Sequence, residues 1–304
     1  MRSLADLNKQ GVVSFGEVIV DYISNNKDNT SFKQFIGGAT VNVAVRLARK
    51  GISSTYLTKL GDDEDGVFVK EELVNEAVNM NECSMTTTKK VCKVYVHQNE
   101  NGDRIFHSYQ NPTPNEWLLD SEINSHIFID TKVTYFGSGT LFHEKSRRTT
   151  ETILELAENF HQIIAFDTNI RLKRWESAEL CKKTIAAFIS RAHIVKMAED
   201  ELLFLTNTNS VKEGLAVAVK WAIPYLFVTR GKEGAIALHN QQYISTEGLN
   251  VTVVDSTGAG DAFMAAVIET FHDKGLPQSK TDLEELLTYA NGVGAKAVTK
   301  MGAL

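Results

Sequence analysis

A chain of 304 residues, 43% apolar and 23% charged, has the composition of an ordinary globular protein able to bury a large core. Its formal net charge of −6 excludes a general attraction for nucleic acid or an anionic membrane, so a phosphorylated ligand would need a local cluster of positive groups. Three cysteines, Cys83, Cys92 and Cys181, and eight scattered histidines match no metal spacing, so reduced thiols in a soluble cytoplasmic protein are expected.

The first ten residues lack the apolar stretch of a secretory signal. Short apolar runs then predict buried strands at Val12 to Val20, Ser54 to Leu60, Val133 to Phe136, Ile163 to Phe166, Ile194 to Val195 and Leu226 to Val228. Between them Val41, Ala44, Val45 and Ala48 share one helical face, as do Thr149, Ile153, Leu156 and Phe160, and then Leu215, Val219 and Ala222. The longest candidate for a membrane span, Gly214 to Val228, is cut by Lys220 and Pro224. Strand and helix in alternation predict one α/β domain over 1–304, a largely parallel sheet sandwiched by helices. Ligands of such sheets sit beyond the carboxyl ends of the strands.

Two segments interrupt the alternation. The first, Tyr22 to Ile36, is polar and extended. The second, Val91 to His97 and Arg104 to Tyr109, flanks Asn101-Gly102, a hairpin signal. Together, as segments 22–36 and 86–110, they read either as a small β-sheet projecting from the domain or as two ordinary surface excursions.

The stretch NVTVVDSTGAGDAFMAAVIETF carries the most chemistry. A β-rich run, Val251 to Val254, leads through Asp255-Ser256-Thr257-Gly258-Ala259-Gly260-Asp261 into a helix of buried type. Glycines around Ala259 let backbone N–H groups crowd one point at a helix start, where the helix adds partial positive charge. That suits a transferring phosphoryl group, whose charge spreads over its equatorial oxygens. Asp261 would repel such an anion unless it has another task, and accepting the proton of a substrate hydroxyl is one. A helix-capping carboxylate is the plainer alternative. The sequence has no Gly-x-x-x-x-Gly-Lys-[Ser/Thr] loop and no protein-kinase signature, and Gly137-Ser138-Gly139 lacks the third glycine of a dinucleotide fingerprint. Farther back, Asp167, Asn169 and Arg171 should emerge at the carboxyl end of the strand Ile163 to Phe166, where Arg171 offers a forked cation to a phosphate.

The 255–261 heptad resembles the signature of the ribokinase-like, or PfkB, carbohydrate kinases. The likeness extends to GEVIVDYI, IGGATVNVAVRLARKG and KLGDDEDG. Membership implies a ribokinase-like α/β domain with a small β-sheet lid, ATP and Mg2+ as cofactors, and in many members K+. It also implies that Asp21, Gly37, Gly38 and Asn42 hold the sugar, with Asn169, Arg171 and the lid residue Arg104 as further contacts. Gly258, Ala259 and Gly260 would form the anion hole and Asp261 the base. Thr229, Gly231, Gly234 and Asn291 would face the nucleotide, Glu201 would order water around magnesium, and Asp255 and Thr257 would border the monovalent cation. Lid strands in this family often pair between protomers, so a homodimer through the lid is implied too.

Four positions depart from the family pattern: Ala198 replaces an asparagine, Arg230 an apolar residue, Gln110 an arginine and Asn115 an acid. GSGTLFHEKSRRTT and FDTNIRLKRW resemble fructokinases, which makes fructose, converted to fructose 6-phosphate, the expected substrate. A neutral Gln110 cannot offset the burial of a sugar carboxylate as arginine can, which disfavours the alternative, 2-keto-3-deoxygluconate. A sugar-binding regulator that has lost phosphotransfer is the non-enzyme alternative.

Overall fold

The computed structural model describes residues 9–100, 104–111 and 115–304. Its elements in chain order are strands β1 (Val12–Phe15), β2 (Ile19–Ser24) and β3 (Phe32–Gly37), helix α1 (Ala39–Arg49), β4 (Ser54–Leu57) and β5 (Lys59–Gly61). They continue with α2 (Glu64–Asn75), β6 (Ser84–Thr86), β7 (Cys92–Gln98), β8 (Arg104–Gln110), β9 (Val133–Gly137), α3 (Glu144–Asn159) and β10 (Ile163–Asp167). Then follow α4 (Ala178–Ile189), β11 (Ile194–Ala198), α5 (Glu199–Thr206), α6 (Val211–Ala218), β12 (Tyr225–Thr229), β13 (Ala235–His239), β14 (Gln242–Thr246), α7 (Ala259–Lys274) and α8 (Lys280–Ala297).

Eight strands form the main sheet in the order β14-β13-β12-β11-β10-β9-β1-β4. From β4 to β12 all pairs are parallel, and β13 and β14 close one edge as an antiparallel hairpin. Adjacent residues of a strand serve opposite layers. Tyr135 packs with α1, α7 and α8, whereas Phe136 packs with α3 and α4. A strand covered on both faces has no polar side, which is why these runs read as continuous apolar sequence. Among the described residues, no helix is long and apolar enough to cross a membrane; Gly214 to Val228 is divided between α6 and β12.

A separate four-stranded sheet, β3-β2-β7-β8, stands beside the main one. Its segments are those expected to leave the α/β alternation; the Asn101-Gly102 turn lies outside the described residues. Three expectations are corrected. Val12 to Val20 is two strands, because the chain leaves the main sheet after Phe15 and pairs from Ile19 onwards with β3 and β7. Ser54 to Leu60 likewise divides, with Lys59–Gly61 pairing β6 in a third, two-stranded sheet. Val251 to Val254 is no strand: Val253 and Val254 are 62% and 52% exposed, and their β-favouring side chains find no neighbouring strand.

Candidate active site

The carboxyl ends of β9, β10 and β11, the start of α7 and one face of the lid sheet enclose a cleft of about 580 Å³, a volume typical of small-molecule sites. Helix α7 begins at Gly258, whose φ of 77° and contact with Ala303 leave no room for a side chain: a Cβ there would lie 2.7 Å from the Ala303 Cβ. The helical ladder opens with Ala262 N–H donating to the Gly258 carbonyl at 2.9 Å. The amides of 259–261 therefore precede it, at the positive end of the helix dipole. A Cβ on Gly260 would come within 2.8 Å of the Lys196 ammonium, so the glycine lets that cation reach the loop.

Asp261 stands in the first turn of α7 and lines the cleft. Asn42, on α1, donates its Nδ2 to Asp261 Oδ2 at 2.7 Å. Burial pushes the Asp261 carboxyl above its ordinary range, while the Asn42 hydrogen bond and the charges of Lys196, Arg46 and Arg171 pull against that rise. Asp261 is thus a half-buried carboxyl held by one donor at the wall of the cleft rather than a freely solvated group at the helix start.

Lys196, in the middle of β11, holds both oxygens of Asp167 at 3.2 Å. Both residues are buried. Burial disfavours the ammonium, but Asp167, Glu201 and Asp261 outweigh it and keep the lysine charged. Asp21, on β2, faces the same cleft, and burial raises its carboxyl to about 6. Gly37 opposite makes room for it, since a Cβ there would sit 2.7 Å from Asp21 Oδ2. Arg171 and Asn169 form part of the cleft wall with Gly38. Arg174 pairs with Glu17 at 2.7 Å and lies over the Phe142 ring, its centre 4.2 Å away.

The pfkB family carbohydrate kinase model matches residues 9–304. The chain belongs to this family. Probable fructokinase-4 of Arabidopsis thaliana is 30% identical over 303 residues, covering 97% of this chain and 93% of the relative. Fructokinase-2 of Solanum lycopersicum is 30% identical over 301 residues, covering 96% of this chain and 92% of the relative. Among solved structures, fructokinase from Vibrio cholerae O395 in its fructose-, ADP- and calcium-bound form superposes with a TM-score of 0.83 at 28% identity, covering 98% and 95% of the two chains. Fructokinase with bound ATP from Xylella fastidiosa gives 0.84 at 25%, covering 97% and 94%. The protein is a fructokinase-like sugar kinase.

Within this carbohydrate kinase the expected residues divide into three groups. Asp21, Gly37, Gly38, Asn42, Asn169, Arg171, Thr257, Gly258, Gly260 and Asp261 line one cleft, and Ala259 begins the helix beside it. Arg104, which opens β8 of the lid sheet, is exposed, and its charge adds slightly to what lowers the Asp255 carboxyl. Burial disfavours the Asp255 carboxylate, yet hydrogen bonds from Thr257 and Gly302 and the Arg104 charge hold it below its usual range.

The remaining residues sit outside these walls. Glu201 is buried and accepts from Ala198 N–H at 2.7 Å, from Thr168 Oγ1 at 2.8 Å and from Ile170 N–H, so it ties the β11–α5 turn to the loop after β10. Thr229 ends β12, and Gly231 and Gly234 lie in the turn after it, where Arg230 pairs with Glu199 at 2.9 Å. Asn291 donates to the Glu247 carbonyl at 2.9 Å. Beside it, the Leu249 side chain lies against Gly292, and Leu249, Val253 and Val254 are exposed apolar residues of the segment leading to α7. Asn115 is a tether: its side chain binds Lys90 N–H at 2.8 Å and the Thr88 carbonyl at 2.5 Å. Gln110 is exposed and lies near Tyr95, outside the cleft.

Sequence reasoning missed Lys196, Arg174 and Glu17. A lysine ending the apolar strand Ile194 to Val195 was the available signal for the first. The Arg174–Glu17 pair joins residues 157 positions apart and left no local signature.

Proposed function

We propose that this kinase transfers the terminal phosphoryl group of ATP to a hydroxyl of a neutral sugar, with D-fructose as substrate and fructose 6-phosphate as product. The observation that carries the reading is the Asn42–Asp261 hydrogen bond at 2.7 Å beside the start of α7. The fructose in the Vibrio cholerae relative and the ATP in the Xylella fastidiosa relative support the same pair of substrates.

The lining suits a polyphosphate: Gly258, Gly260 and the Lys196 ammonium border one cleft at the start of α7, where the helix dipole is positive. When bound, ATP supplies the phosphoryl group, and Mg2+ held largely through phosphate oxygens and water neutralises its charge. The exposed apolar side chains of Leu249, Val253 and Val254 are our candidates for contact with the adenine base. Asp255 and Thr257 are our candidates for a potassium site, and Glu201 for the ordering of magnesium-bound water from beneath.

Under the lid, Asp21 accepts hydrogen bonds from sugar hydroxyls while Asn42 and Gly38 set the ring. The terminal hydroxyl loses its proton to Asp261 as its oxygen bonds to phosphorus and the bridging oxygen leaves with ADP. Loop amides and Lys196 stabilise the charge on the equatorial oxygens. Lid closure would exclude water that otherwise competes as acceptor.

The Arg174–Glu17 pair bears on the sugar. With Glu17 at 2.7 Å, the Arg174 charge is already matched, which favours a neutral substrate over an acid. Arg171, exposed on the cleft wall, is the observation on the side of a sugar acid. A coupled ADP-release assay with fructose, ribose and 2-keto-3-deoxygluconate, with and without potassium, tests the reading. Preference for fructose is expected. Faster turnover of 2-keto-3-deoxygluconate would overturn the sugar assignment, and sugar binding without ATP consumption would overturn phosphotransfer.

A further inference from the structure

Arg46 lies one helical turn after Asn42 on α1, so both side chains face the start of α7. Its guanidinium is not solvated freely. One terminal nitrogen donates to the Ala303 carbonyl at 2.5 Å, and its Nε is buried with no hydrogen-bond partner among the described residues. Ala303 is the residue that packs directly on Gly258. The strap 299–304 is tied to the same loop further, by Gly302 N–H on Asp255 Oδ2 at 3.0 Å and, at its root, by Val254 N–H and Asp255 N–H on the Val298 carbonyl at 2.8 and 3.2 Å. Leu304 then packs against the cluster holding Val41 and Val45. One cation on α1 thus bears on the strap that forms the floor beneath the turn preceding Asp261.

We propose that Arg46 is a positioning residue for phosphoryl transfer, clamping the 299–304 strap onto Gly258 and so fixing the turn that carries Asp261. The proposal deepens the phosphotransfer reading and rests on Asp261 as the base. The groups facing Asp261 are Arg46 and the neutral Asn42 from α1, Lys196 from β11, Asp167 from β10, Tyr135 from β9 and Arg171 from the loop after β10. Of these, Arg46 is the cation that also holds the strap. Removing its charge leaves the Asp261 carboxylate harder to form, so the acid limb of the rate profile moves to higher pH.

The test compares Arg46→Met, Arg46→Lys and Asp261→Asn with the unaltered chain. Amide hydrogen exchange is read at Val254, Asp255 and Gly302, together with kcat, KM for the sugar and the pH profile of kcat/KM. Arg46→Met should exchange faster at these amides, lose about tenfold in kcat with sugar KM nearly unchanged, and show the shifted acid limb. Arg46→Lys should bring the limb back. Unchanged exchange in a folded Arg46→Met chain overturns the clamp, whatever its turnover. If that variant fails to fold, Arg46→Ala takes its place, and unaltered exchange at Val254, Asp255 and Gly302 in it overturns the clamp. The exchange readout does not depend on the chemistry at Asp261, so normal turnover in Asp261→Asn would sink the base assignment separately.

Discussion

The Asn42 amide on α1 holds one oxygen of Asp261 on α7 at 2.7 Å, joining residues 219 positions apart. This contact links the first turn of α1 to the first turn of α7. It orients the carboxylate lone pairs and favours the ionised form that a base requires. In the proposed mechanism the other oxygen would take the proton of the acceptor hydroxyl.

Asp261→Asn keeps the shape and removes the base. Turnover should fall at least about a hundredfold, in line with the loss of general-base catalysis. Thermal unfolding should be no less cooperative than in the parent. Steady-state kinetics beside a melting curve checks both, and near-normal turnover removes Asp261 from the mechanism.

Asn42→Ala deletes a donor that opposes the effect of burial on Asp261. The carboxylate forms less readily, so activity at low pH should drop first and the acid limb of kcat/KM should move upward. At high pH the loss should shrink to about tenfold, the remainder reflecting poorer orientation. A profile parallel to the parent at all pH values would rule out this role.

Asp21→Asn separates affinity from stability. Burial raises the Asp21 carboxyl to about 6, so the folded state holds its proton more tightly than the unfolded chain does. Its ionised form therefore costs stability above about pH 6, and that cost disappears below the unfolded value of about 4. The asparagine variant should be more stable at pH 8 by about 1 to 2 kcal/mol, allowing for solvent screening of a half-buried group, and no more stable at pH 4. Sugar KM should rise, because a carboxylate acceptor for hydroxyls has gone. Denaturant unfolding at the two pH values, with KM measured at pH 8, is the check.

Lys196→Met leaves Asp167 buried without its cation. Breaking such a pair costs about 3 to 5 kcal/mol. The double variant Lys196→Met/Asp167→Leu should recover much of that stability but not the activity, because an ammonium beside Gly260 is still missing. Recovery of turnover in the double variant would show that Lys196 serves the fold alone.

Much of the fold was legible along the chain. Runs such as Val133 to Phe136 and Ile163 to Phe166 are apolar at every position, and only a strand covered on both faces requires that. The glycines at 258 and 260 announced a crowded helix start, and the structure gives the close approaches that demand them: Ala303 against the first, Lys196 against the second. The division of Val12 to Val20 between two sheets was not legible. Both sheets bury valine and isoleucine, and hydrophobic pattern carries no information about which partner strand provides the hydrogen bonds.

Local sequence by itself determined the alternation of strand and helix, the helix start at Gly258 and the residue types available for acid–base chemistry. These depend on neighbours within a few positions, through side-chain volume, backbone freedom and periodicity. Tertiary structure alone decided that Asn42 meets Asp261, that Lys196 meets Asp167 and that Glu17 cancels Arg174. Each pairing joins separate elements, and its strength depends on how far burial has withdrawn water from both partners, a quantity that exists only once the layers have packed.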